Sequence, residues 1–255
     1  MEAAIVSVFG LLVGSFLNVC IYRIPKNISV VYLPKSHCPK CKNEIKWYDN
    51  IPVVSFLILG GRCRNCKTKI SPRYLTVELL TSALFLLAYL KFGFSPELFS
   101  AAILFSFLIV IALIDFKTQY IYDVTVVPLA ILGLLFSYFV RGQSPLLSLV
   151  GFLTGGAIFL TIAYAGRLLY KFEVMGMGDV KLAAAIGAFL GWQSTIAMVI
   201  VTFTLGCIVG LLLLITKKKG GKDPVPFGPF LVLGTFVMIL AGEKLTGLLN
   251  PGWNN

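Results

Sequence analysis

The chain has 255 residues, of which 58% are apolar and only 13% charged, and its mean hydropathy is +0.89. A soluble domain runs about 45–50% apolar and about 25% charged, so this composition excludes a soluble fold, a disordered chain and a disulfide miniprotein. The net charge of +11 would suggest nucleic acid in a soluble protein; in a chain this apolar it first raises the question of which membrane face holds the cations.

The expected fold is an all-α polytopic membrane protein, since a spanning helix needs about 20 mostly apolar residues. Eight candidate spans are expected at 3–22, 75–90, 97–114, 122–140, 146–169, 180–191, 194–215 and 227–249. Pro128 in the fourth and Gly155-Gly156 in the fifth are tolerable where neighbouring helices shield the backbone. The sixth is short and contains glycine. The first lacks a basic leader, and Arg23 and Lys26 follow it, so it reads as a retained helix with its N-terminus outside the cytoplasm. Loop alternation then puts nineteen basic residues on the side of 23–73 and three, Lys91, Arg141 and Lys244, on the other. This asymmetry is a topology signal and not a nucleic-acid site. No internal repeat is strong enough to organise the chain.

Segment 23–73 is the one long polar insertion, and it divides the chain into a first helix (1–22), a small cytoplasmic domain and a membrane domain (74–255). It carries Cys38-Pro-Lys-Cys41 and Cys63-Arg-Asn-Cys66. Two C-x2-C knuckles supply the four thiolates of a tetrahedral structural zinc site. Lys40, Lys42, Arg62, Arg64 and Lys67 favour thiolate over thiol. Paired disulfides fit a reducing compartment poorly, and a redox role is weaker still. His37 adjoins Cys38 but is not needed as a ligand. Cys20 and Cys207 read as small buried hydrophobes.

Acidic residues near membrane helices need a reason. Glu78 falls in the first turn of the second helix, where the dipole favours an anion; structural and functional roles both fit it. Glu173 reads as a solvated loop residue. Asp115 ends the run Leu108–Ile114, and Asp179 follows Gly176-Met177-Gly178. Both are expected at cytoplasmic helix ends, at one depth, and the glycines permit close backbone approach. Aspartates also cap helices, so spacing alone leaves that reading open. The lone histidine and the lack of H-E-x-x-H disfavour serine-type and zincin chemistry. Two carboxylates sharing a proton can act as base and acid.

Taken in order, the motifs carry a resemblance. They are Gly14-Ser15-Phe16-Leu17-Asn18-Val19, Tyr22-Arg23-Ile24-Pro25, both cysteine pairs, Asn50-Ile51-Pro52, Arg73-Tyr74 and Val77-Glu78-Leu79-Leu80. Ile114-Asp115, Tyr122-Asp123, Gly176-Met177-Gly178-Asp179-Val180-Lys181 and Pro226-Phe227-Gly228-Pro229-Phe230 complete the set. The chain resembles the type IV prepilin leader peptidases, bifunctional membrane enzymes of the GxGD aspartic-protease group. The resemblance implies that Asp115 and Asp179 are the catalytic pair, with Gly176, Gly178, Asp123, Lys181 and Glu78 supporting. It implies cleavage of prepilin or pseudopilin leaders after a glycine, on the cytoplasmic face of the bacterial inner membrane. It also implies N-methylation of the new N-terminus from S-adenosylmethionine. One departure is Asp49-Asn50 where the family often has Glu-Asn. No G-x-G-x-x-G pattern marks a site for the methyl donor. The basic leader would need local acids, with Asp49, Asp123 and Glu173 nearest. A cleavage-only peptidase is the alternative enzyme reading. A transporter or scaffold would place its charges near the bilayer midplane, which these helix-end acids do not.

Overall fold

The computed structural model describes residues 1–30, 32, 36–141, 145–171, 175–216 and 226–249. Glu173 and the basic stretch 217–222 lie outside them. The described residues are helical apart from short turns and two isolated β-bridges. They fall into two compact units, 1–110 and 111–255.

In the first unit, α1 (Glu2–Arg23) packs along α3 (Arg73–Phe92). Glycine makes the approach close: a Cβ on Gly10 would lie 2.7 Å from Ser82 Cα, and one on Gly14 would lie 2.7 Å from Glu78 Cα. Between them lie the cysteine knuckles and the short α2 (Val54–Ile58). The boundary between the units falls inside α4 (Pro96–Thr118).

The second unit holds the end of α4, α5 (Asp123–Arg141), α6 (Pro145–Tyr170), α7 (Met177–Leu190), α8 (Trp192–Ile215) and α9 (Gly228–Leu249). At its centre is α7, which is buried from Leu182 to Leu190 and packs on α5, α6, α8 and α9. Its small residues allow this. A Cβ on Gly151 of α6 would collide with the Gly187 carbonyl of α7, and one on Gly155 with the Ala183 carbonyl. Small-residue stripes of this kind let membrane helices pack on their backbones.

Among the described residues, six helices (α1, α3, α4, α5, α6 and α8) are long and apolar enough to cross a membrane. The expected eight is not reached by that measure. With 14 residues, α7 spans about 21 Å of a hydrocarbon core about 30 Å thick. For α9 the described apolar stretch is Gly228–Gly242. Cys20 is buried as expected, but Cys207 is exposed on α8, where an apolar thiol meets no penalty against lipid.

Candidate active site and metal centre

Asp115 lies in the last turn of α4 and is only 4% exposed. Its Oδ2 accepts a hydrogen bond of 3.1 Å from the amide of Gly228, the first residue of α9. Asp179 is the third residue of α7, so it sits on the positive end of that helix's dipole. Its own amide donates to the Gly176 carbonyl over 3.1 Å, which closes the first turn. Its carboxylate is close enough to Asp115 for the two charges to interact. Asp179 Oδ1 is buried with no hydrogen-bond partner. An orphaned buried oxygen is costly in a finished structure and marks a position for a proton, a water or a substrate group.

The two glycines before Asp179 do different work. A Cβ on Gly178 would stand 2.8 Å from Ile121 Cβ, so only glycine lets α7 start against the connection between α4 and α5. A Cβ on Gly176 would meet nothing closer than 3.7 Å. Asp123 and Lys181 turn out to be partners. The Lys181 ammonium donates to both Asp123 oxygens, at 2.8 and 3.0 Å, and the pair is half exposed. Asp123 is therefore already matched by a cation of the same chain.

Glu78 belongs to the first unit. It is the sixth residue of α3, not a first-turn residue, because the helix begins at Arg73. What holds its buried carboxylate is the Val53 amide at 2.8 Å. Val53 has a φ of +60°, a strained conformation for a β-branched residue. Nearby, the Asn18 side-chain amide donates to the Tyr74 carbonyl at 3.0 Å.

The cysteine segment folds as two copies of one knuckle. Residues 36–45 (SHCPKCKNEI) and 61–70 (GRCRNCKTKI) superpose in their bonding. The Lys42 amide donates to the Cys38 carbonyl at 2.9 Å, and the Lys67 amide to the Cys63 carbonyl at 3.0 Å. Both lysines are left-handed, with φ of +61° and +57°. The bridges His37–Glu44 and Arg62–Lys69 close the two loops. The short repeat passes unnoticed in the sequence because little beyond the cysteines, a lysine and a final isoleucine is shared.

The four cysteine sulfurs lie within 4.8 Å of one another. Cys38 and Cys66 are 3.8 Å apart. A tetrahedron with Zn–S bonds of about 2.3 Å has edges of about 3.8 Å, so the set fits zinc and not a disulfide. The Thr68 hydroxyl and amide push Cys66 down to about 6. Cys41 is helped by the Asn43 amide, but desolvation and the neighbouring sulfurs outweigh it and push it up to about 11. Together the four sulfurs could hold a metal ion. Arg64, from the second knuckle, grips Asp49 with bonds of 2.6–3.1 Å. That fork holds the Asp49 carboxyl below the usual range and fixes one knuckle to the Trp47–Asn50 turn.

Residues 8–92 match the Bacterial Peptidase A24 N-terminal domain, and residues 102–214 match the Type IV leader peptidase family. The chain is similar to the prepilin leader peptidase/N-methyltransferase of Pseudomonas aeruginosa, with 35% identity over 93% of this chain and 89% of the relative. It is similar to the protein of that name from Neisseria gonorrhoeae, with 35% identity over 96% of this chain and 92% of the relative. For the Myxococcus xanthus protein of that name the identity is 37%, over 86% of this chain and 65% of the relative. No solved structure matches.

Proposed function

We infer the roles of individual residues from one premise: the chain belongs to the type IV leader peptidase family. It cleaves the leader peptide from type IV prepilins and N-methylates the new N-terminal residue. Its catalytic pair is Asp115 and Asp179. The observation that carries this is their meeting at three helix ends, those of α4, α7 and α9. One carboxylate takes a proton from water, and the hydroxyl oxygen bonds to the scissile carbonyl carbon. The other, protonated, gives its proton to the departing amine as the C–N bond breaks. The proton taken from water then passes across the pair and restores its starting state. The partnerless Asp179 Oδ1 is the oxygen best placed to address substrate.

The cut follows a glycine, in a prepilin or a pseudopilin. Cys38, Cys41, Cys63 and Cys66 would hold a structural zinc ion, which cross-links two knuckles and leaves no open coordination position. The relatives' methyltransferase name implies S-adenosylmethionine, whose sulfonium would supply the methyl group. No residues are assigned to it, since no strand leads into a Gly-rich turn among the described residues.

Homologues and apolar helices together support a multi-pass protein of the bacterial inner membrane. In our reading α7 and α9 complete eight passages, with the N-terminus outside and residues 23–73 a cytoplasmic domain. The connections after α4, α6 and α8 then all lie on the cytoplasmic, lysine-rich side. The active site belongs there too.

The test is incubation of purified chain with a prepilin and S-adenosylmethionine, followed by mass spectrometry of the product's N-terminus. The expected product lacks its leader and carries one added methyl group. Asp115→Asn or Asp179→Asn should lower the cleavage rate by at least about 100-fold, since either removes half of an acid/base system. Substantial cleavage by both variants would reassign the site.

A further inference from the structure

Asp115 is oriented by something no side-chain motif reveals. We propose that the Phe227-Gly228-Pro229 corner is a positioning device for Asp115, with the Gly228 amide as the group that holds the carboxylate in place. The proposal rests on Asp115 being catalytic.

Three features of the corner point the same way. The first is the allocation of backbone donors at the start of α9. The opening amides of a helix have no partner inside it. Pro229 has no N–H, and the amides of Phe230 and Leu231 both turn back to the Phe227 carbonyl, at 3.0 and 3.3 Å. That leaves the Gly228 amide to point outward, and it meets Asp115 Oδ2 at 3.1 Å.

The second feature is space. A Cβ on Gly228 would lie 2.5 Å from Asp115 Oδ2 and 3.1 Å from its Cγ. The backbone of this helix is ordinary, so glycine is required for the approach and not for its dihedral angles. Any other residue would push the carboxylate away from the amide that binds it.

The third feature is anchorage. Phe227 is wedged among Phe159 of α6, Phe203 of α8 and Phe230 of α9, with ring centroids 5.2–6.3 Å apart. These rings fix where α9 begins. Pro229 pre-sets the first turn. The amide is therefore presented by a rigid corner, as a positioned donor must be.

The experiment uses the full chain in lipid nanodiscs. Its readouts are kcat and KM for prepilin cleavage, methylation of an already cleaved peptide, and thermal melting. Gly228→Ala should lower kcat by about 100-fold or more, with KM changed less than about threefold. Methylation and melting should stay at the parent level. Gly206→Ala is the control: its Cβ would meet the same Phe227 ring at an ordinary 3.8 Å, and all readouts should hold. A second variant replaces Gly228 by glycolic acid in cell-free translation. This ester removes the N–H and adds no atom, so it covers the case in which the alanine variant fails to fold. Loss of one charge-assisted hydrogen bond should lower its kcat by about 10- to 100-fold. Normal kcat in the ester variant, or a loss of that variant's methylation and melting in step with its cleavage, overturns the proposal. Asp115→Asn is run beside them. If it is inactive while the ester variant is fully active, only the positioning role falls. If it cleaves normally, the catalytic assignment itself falls.

Discussion

Each of the two acids sits on the positive end of a helix, by different routes. Asp179 is in the first turn of its own helix, whereas Asp115 ends one helix and meets the start of another. The first arrangement is legible in sequence, because Gly-x-Gly-Asp before an apolar run announces a turn and a helix start. The second is not: Pro226-Phe227-Gly228-Pro229-Phe230 stands out as a motif, but nothing in it says that its glycine amide meets an acid 113 residues away. The pairing of Asp123 with Lys181 is hidden for a similar reason: both residues attract notice singly, but their contact spans 58 residues. A half-exposed pair of this kind contributes at most about 1 kcal/mol. Asp123→Asn should therefore melt within a few degrees of the parent and keep most of its cleavage. The glycines give a sharper contrast. Gly178→Ala should lower cleavage far more than Gly176→Ala, since only the former drives a Cβ into Ile121. Ile121→Ala retains the offending Cβ and should not rescue it. Kinetics on the three variants check the ranking; equal losses at Gly176 and Gly178 would mean that the Ile121 contact is not what the motif protects.

Among the elements, the twin knuckles behave as a unit that the metal completes. Purified protein should carry about one zinc per chain, which elemental analysis checks. Cys41→Ser should lose the metal and loosen residues 36–70, read as faster amide exchange there, because binding a structural metal is also folding energy. The sign with pH follows from the thiols. Each thiolate must regain a proton as the metal leaves, so metal retention should fall as pH drops. A fully metal-free protein with an intact knuckle fold would contradict this. The cysteines themselves were plain in the sequence. Their bonding repeat was not, since it resides in backbone carbonyls and two left-handed lysines.

At the scale of the whole chain, apolar runs located the long helices to within a few residues, because lipid demands unbroken helices and little else. The run at α7, expected at 180–191 and found at Met177–Leu190, is located as closely and is short as expected. Its ends are set by the helices around it and not by bilayer thickness, so a length rule built on lipid contact does not apply. Sidedness has its own measurement. Single cysteines placed at Thr118 and Lys171 in a chain otherwise free of accessible thiols should react with a membrane-impermeant maleimide only in inverted vesicles. One at Phe94 should react only in intact spheroplasts. The opposite pattern would invert the topology.

The hold of α9 on Asp115 also has a consequence for biosynthesis. Helices emerge from the ribosome in chain order, so Asp115 is made first, Asp179 second and Gly228 last. A partly synthesised chain carries one acid, then two, but not the amide that orients the first. Its central helix, short and bearing Asp179 and Lys181 near one end, is no strong insertion signal and must wait for its neighbours to be seated. The protease is thus assembled by its own completion. Until the ninth helix has docked, a membrane crowded with other nascent helices holds an aspartate pair with its first acid not yet aimed.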